Sequence, residues 1–158
     1  MMRVGLWTFL HLLGMALWLG GMFTAGIWTS TARATADHTV IAFAYGTAGR
    51  IYRVFVAAGA WITIGAGVVL TFTTSRAWFS PFPEHWLFQM QIFGLLAFAA
   101  TVLYVIPNST ALARLAGEVA ESGELKPEFQ KRVKAQAIVG SAVGGILIYA
   151  VLLGSLRF

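Results

Sequence analysis

The sequence predicts an all-α fold: an integral membrane four-helix transmembrane bundle with both termini outside. Three observations predict it. Apolar residues make up 58% of the 158 residues and charged residues 11%, against about 45–50% and about 25% in soluble domains. A chain of this length has too small a core to hide that much apolar side chain from water, which points to lipid as the solvent. Four stretches reach the roughly 20 mostly apolar residues that cross a hydrocarbon core, and all eleven Lys and Arg lie at their ends or between them.

The elements follow in order. The first span is Val4–Trp28, free of formal charge. Ala34-Thr35-Ala36 offers a small-residue cleavage site, but the apolar run exceeds the roughly 7–15 residues of a signal-peptide core, so a retained span is expected. Val40–Gly49 is short and apolar and is expected at the inner interface. The second span is Ile51–Phe72, with Arg53 only at its start. Ser80-Pro81-Phe82-Pro83 is a turn feeding the third span, Trp86–Ile106, from the outer side. Pro107 should kink or end that helix. Asn108 or Ser109 would then cap a short cytoplasmic helix reaching Glu121, with Gly123 as its stop. Pro127 starts a helix that runs into the fourth span, Ala135–Leu156. Together these make one domain, residues 1–158.

Orientation comes from the cations. Arg3, Arg76 and Arg157 are the three on one side. Arg33, Arg50, Arg53, Arg114, Lys126, Lys131, Arg132 and Lys134 are the eight on the other. The richer side faces the cytoplasm, which predicts a multi-pass protein of a bacterial-type inner membrane. The net charge of +5 is then loop charge of this kind and predicts no nucleic-acid partner. The chain has no Cys, so disulfide scaffolds, thiolate metal sites and Cys nucleophiles are excluded. All acidic residues lie outside the spans, and no Ser–His–Asp set, Walker loop or HExxH is present. Hydrolysis and nucleotide chemistry have no support.

Helix association in lipid relies on small residues and a few polar contacts. Gly59, Ala60, Thr63, Ala66 and Gly67 share one face of the second span, which should point inward. The fourth span carries Gly140-x-x-x-Gly144 on one face and Ala142, Gly145 and Tyr149 on another. Two small faces allow one inside the bundle and one against a second subunit, so a homo-oligomer or a larger membrane complex is expected alongside the lipid bilayer as partner. Plain packing is the simpler reading of both.

His11 is the ionisable side chain well inside a span. Its face includes Trp7, Gly14, Met15, Trp18 and Met22. An intramembrane His is costly and is by default a functional hypothesis, and imidazole is a common axial ligand to haem iron. Gly14, one turn away, would let a flat macrocycle approach. The plainer alternative is a neutral His bonded to a carbonyl, a hydroxyl or a Gln. Thr63, Gln89, Gln91 and Tyr149 lie at similar depth, but Gln89 and Gln91 are about 200° apart on their helix and cannot both point inward. His85, at the outer start of the third span, is either a second metal ligand or a residue of the helix cap. His38 is on the wrong side of the membrane for His11, and Arg50 with Arg53 reads as a topology anchor against lipid phosphate.

The segment LWTFLHLLGMALWLGGMF, with His11, Trp18, Gly20 and Gly21, resembles the first helix of the HemJ-type protoporphyrinogen oxidases and the related CopD-like copper-resistance membrane domains. GRIYRVFVAAGAWITIGAGVVL, opening on Arg50, Ile51, Tyr52 and Arg53, is similar to the HemJ second helix. The HemJ third helix opens Trp-Leu-His-x-Lys; here Trp86 and Leu87 are followed by Phe88, Gln89 and Met90, so the His and the Lys are missing and an oxidoreductase activity stays open. The resemblance implies haem b, held by His11 with Gly14, Met15, Trp18 and Gln89 around it, for electron transfer or tetrapyrrole oxidation. It also implies copper as the alternative, on His11 and His85 with a Met sulfur. A cofactor-free accessory subunit is the remaining expectation.

Overall fold

The computed structural model describes residues 2–76, 78–79 and 85–156, with side chains from residue 4 onward. Among these, every regular element is helical. The elements are α1 (Met2–Ala34), α2 (His38–Ile51), α3 (Ala57–Thr73), α4 (His85–Ala100), α5 (Ile106–Ser122) and α6 (Pro127–Leu156). One-turn π segments, Tyr52–Val56 and Thr101–Val105, join α2 to α3 and α4 to α5 without a break. The described chain is therefore four long helices: Val4–Ala34, His38–Thr73, His85–Ser122 and Pro127–Leu156, each long and apolar enough to cross a membrane. The protein is a four-helix bundle of the multi-pass membrane class. Its outward side chains agree: Leu6, Phe9, Leu12, Trp61, Phe72, Leu103 and Ile138 are all exposed, a surface suited to hydrocarbon rather than water.

Three expectations are corrected. Val40–Gly49 is not a short piece apart from the second span: one helix runs from His38 to Thr73. It is the middle of α2, started by Asp37, whose carboxylate accepts from the Thr39 and Val40 amides at 2.8 and 3.1 Å, and it lies against α5 through Ile41 and Tyr45. Pro107 neither ends nor separates the third helix. A proline has no N–H to give, and the widened π turn just ahead of it takes up that mismatch, so the helix passes through. Asn108 and Ser109 cap nothing. Asn108 Nδ2 donates to Gln136 Oε1 at 2.8 Å and to the Arg132 carbonyl at 3.2 Å, and Arg132 donates to both Asn108 and Glu128. Glu118, Glu121 and Glu128 thus lie on helices that run past the apolar spans. Gly123 closes α5 in the left-handed conformation, φ 71°, which glycine adopts at little cost. The turn expected at Ser80–Pro83 lies outside the described residues.

The helices project well past the hydrocarbon. Even α6, with 30 residues, extends about 45 Å at 1.5 Å per residue, against a core of about 30 Å. One half of the bundle is built around α1, α3, α4 and the end of α6. Its second half is α2, α5, the end of α1 and the start of α6. The main buried cluster, centred on Trp18, Val56, Ala60, Val105 and Leu147, ties the two halves together.

Candidate functional site

The site is built on the contact of α1 with α3, and glycines allow it. A Cβ on Gly14 would stand 2.6 Å from Thr63 Oγ1 and 2.9 Å from the Gly59 carbonyl. A Cβ on Gly59 would stand 2.7 Å from the Gly14 carbonyl. The two backbones therefore touch where Cβ-bearing residues could not follow. One turn further out, Gly67 leaves room for the His11 ring, whose Cε1 would be 3.2 Å from a Cβ there.

His11 is half-buried, and its Nδ1 lies 2.8 Å from the Thr63 carbonyl oxygen. A carbonyl only accepts, so Nδ1 carries the proton and Nε2 keeps the lone pair. The same bond serves a structural His and a metal-binding one, since a metal-bound imidazole ordinarily anchors its other nitrogen in this way. The ring lines a cavity of about 100 Å³ shared by Met15, Trp18, Thr63, Gly67, Met90 and Gln91, with Trp78 and Phe79 at its edge.

Gln91 fixes that edge. The Phe79 amide donates to Gln91 Oε1 at 2.8 Å, which sets the orientation of the carboxamide, and Gln91 Nε2 is buried with no partner among the described residues. An unmatched buried donor is unfavourable by about 1–3 kcal/mol. Phe79 itself has φ 49°, an uncommon conformation for a bulky residue and a strained one.

The other expected residues fall as follows. Gly14 is filled by α3, so the close approach it allows is to a helix and not to a macrocycle. Met15 lines the cavity. Trp18 is fully buried, and its indole N–H donates to Thr101 Oγ1 at 3.2 Å, satisfying both at the start of the second π turn. Gln89 points elsewhere: the Tyr149 hydroxyl donates to its Oε1 on the α4–α6 side. His85 is the first residue of α4 and is not part of the cavity lining. Sequence reasoning missed Met90. It stands where the HemJ-type third-helix motif has its Lys, and that was the available signal. Its methyl would lie 2.9 Å from a Cβ at Gly154, so α6 makes room for this side chain beside the cavity. Among the described residues no three His, Asp or Glu side chains cluster, so a metal here would rest on one imidazole and thioethers.

A second and larger space lies at the other end of the bundle. A half-open groove of about 570 Å³ lies between α1 and α6, lined from Leu19 to Arg33 on one side and from Val133 to Ile148 on the other, with Tyr45, Tyr52 and Leu112 also in its lining. Gly140 and Gly144, expected to serve packing inside the bundle or a contact with a second subunit, line this space: a Cβ on Gly144 would meet nothing within 4 Å.

No family model, no curated protein and no solved structure matches this chain.

Proposed function

We propose that the outer-half cavity is a membrane-embedded site for a soft transition-metal ion, copper(I), and that the protein is a copper-handling membrane protein. The observation that carries this reading is the His11–Thr63 bond. It leaves Nε2 as the lone-pair nitrogen of a ring that shares one small cavity with two thioethers, Met15 and Met90. Imidazole with thioethers is a donor set suited to Cu(I). The unpartnered Gln91 amide donor would hold a water or anion completing the ion's surroundings.

Haem fits this space less well. Pockets for drug- and cofactor-sized molecules are roughly 300–1,000 Å³, and the cavity is about 100 Å³. Gly14, the expected face for a macrocycle, is closed by Thr63 and Gly59. The residues present do not fit a porphyrin. The setting of the site is a bacterial-type inner membrane with both termini outside, supported by the uneven distribution of Lys and Arg.

The test is metal and pigment content of the same detergent-purified sample. One equivalent of copper after loading with Cu(I), absent in His11→Ala and reduced in Met90→Leu, is the expected result. A Soret band lost in His11→Ala would return the site to haem. A sample that binds neither leaves His11 as a packing hydrogen bond.

A further inference from the structure

The space between α1 and α6 lies well away from His11, and its shape and chemistry identify an occupant. It runs alongside α1 from Leu19 to Arg33, fourteen residues or about 21 Å of helix. A groove of about 570 Å³ drawn out over that length suits a single extended hydrocarbon chain.

The walls agree. Gly26, Gly140, Gly144 and Gly145 leave the groove open, and Phe23, Ile27 and Ile148 line it with apolar side chains. The hydroxyls of Thr29, Ser30 and Ser109 all donate to carbonyls of their own helices, so they make few demands on an occupant. Arg33 is the single charged residue of the lining and stands exposed at one end. Among the described residues no carboxylate lies within ion-pair distance of it. Val4 to Arg33 is 29 residues, about 44 Å of helix, close to the full thickness of a bilayer with its headgroups, about 40–45 Å. Arg33 therefore lies at headgroup depth when Val4 is at the opposite surface.

We infer that this groove holds one acyl chain of an anionic phospholipid, with the phosphate on the Arg33 guanidinium and the chain lying along Gly140 and Gly144. Guanidinium recognises phosphate through a planar fork of donors, and basic pockets between membrane helices select anionic headgroups. The site is separate from the His11 cavity, and its test is independent of any metal.

The experiment places the full chain in nanodiscs of equal phosphatidylglycerol and phosphatidylcholine and measures co-purifying lipid by native mass spectrometry. Wild type should retain one phosphatidylglycerol, enriched about fivefold over phosphatidylcholine, the preference one surface cation supports. Arg33→Gln should retain a lipid without preference. Gly144→Leu should lose the lipid at unchanged helix content. Phosphatidylglycerol carrying a photoreactive acyl chain needs no variant, and in wild type it should label Phe23, Ile27 or Ile148. Equal retention of the two lipids by wild type, labelling confined to other residues, or a dimer that Gly144→Leu dissociates would each overturn the proposal.

Discussion

Two glycine-bearing contacts of α1 behave in opposite ways. Toward α3, Gly14 and Gly59 are filled to within 3 Å by the opposing backbone, and a polar bond from His11 is seated on top of them. Toward α6, Gly26, Gly144 and Gly145 meet nothing within 4 Å, and a groove of about 570 Å³ remains. The residue type is the same and so is the helical geometry. What differs is the partner. On α3 the opposing positions are themselves small, so the backbones close. Toward α6, Met22 of α1 and Tyr45 of α2 line the space beside these glycines, and no small-residue backbone closes on them. A small-residue stripe therefore marks either a contact or a cavity, and only the opposite wall decides which.

The comparison can be broken most sharply at the closed contact. Gly59→Leu should prevent folding or lower stability by more than about 3 kcal/mol, because its new atoms meet backbone and not movable side chains. Unfolding in mixed micelles followed by circular dichroism measures this. Unchanged stability would mean that α1 and α3 are not in backbone contact.

A smaller effect is expected at Trp18. Trp18→Phe keeps most of the buried ring and leaves the Thr101 hydroxyl without its donor. Interhelical hydrogen bonds in membranes contribute about 0.6–2 kcal/mol, so the same unfolding assay should register a loss of about 1 kcal/mol. Restoration by the double variant Trp18→Phe, Thr101→Val would sharpen the assignment to this pair.

At Gln91 the change is local. Gln91→Leu removes the acceptor of the Phe79 amide and the unmatched buried donor together. Global stability should move by less than about 1 kcal/mol, since an unfavourable group leaves with a favourable one. Amide exchange at Phe79 should speed up by at least about tenfold as the bond that protects it is lost. Unaltered exchange there would show that Gln91 does not hold this edge of the cavity.

The smallest effect belongs to the open groove. Gly144→Ala adds a methyl into free space and replaces a helix-weakening residue, so stability should rise slightly, by up to about 1 kcal/mol. A loss of stability would mean that the groove is closed by a subunit contact.

How much of this was legible in the sequence follows from the same contrast. The four helices were, because apolar runs between charged ends suffice to locate them. The inward face of Gly59, Ala60, Thr63 and Ala66 was too, since each is buried where the helical period puts it. The joins were not. Val40–Gly49 looked like a separate piece because Arg50 and Arg53 interrupt its apolarity. The structure carries Arg53 along the helix, its Nε donating to the Gly49 carbonyl at 3.3 Å. Pro107 read as a kink or an end, and the helix continues through it, because the π turn that accommodates it has no residue signature.

Within the candidate site, depth counting placed His11 level with Thr63, and the two do meet. The sequence reading chose Gln89 over Gln91 for the site, and the cavity is lined by Gln91 instead, because an isolated helix has no inside. The contact of Gln89 with Tyr149 turns that side toward α6, and Gln91 and Met90 take the His11 side. Met90 escaped notice because a methionine among apolar neighbours reads as packing until a cavity is seen beside it.

The central claim is that His11, Met15 and Met90 form one metal site. Copper-edge X-ray absorption on the Cu(I)-loaded protein tests it most directly, by counting the atoms bound to the ion. The account predicts one nitrogen and two sulfur neighbours in wild type, and one fewer sulfur in Met90→Leu. A shell of oxygen and nitrogen alone, unchanged in Met90→Leu, would contradict it.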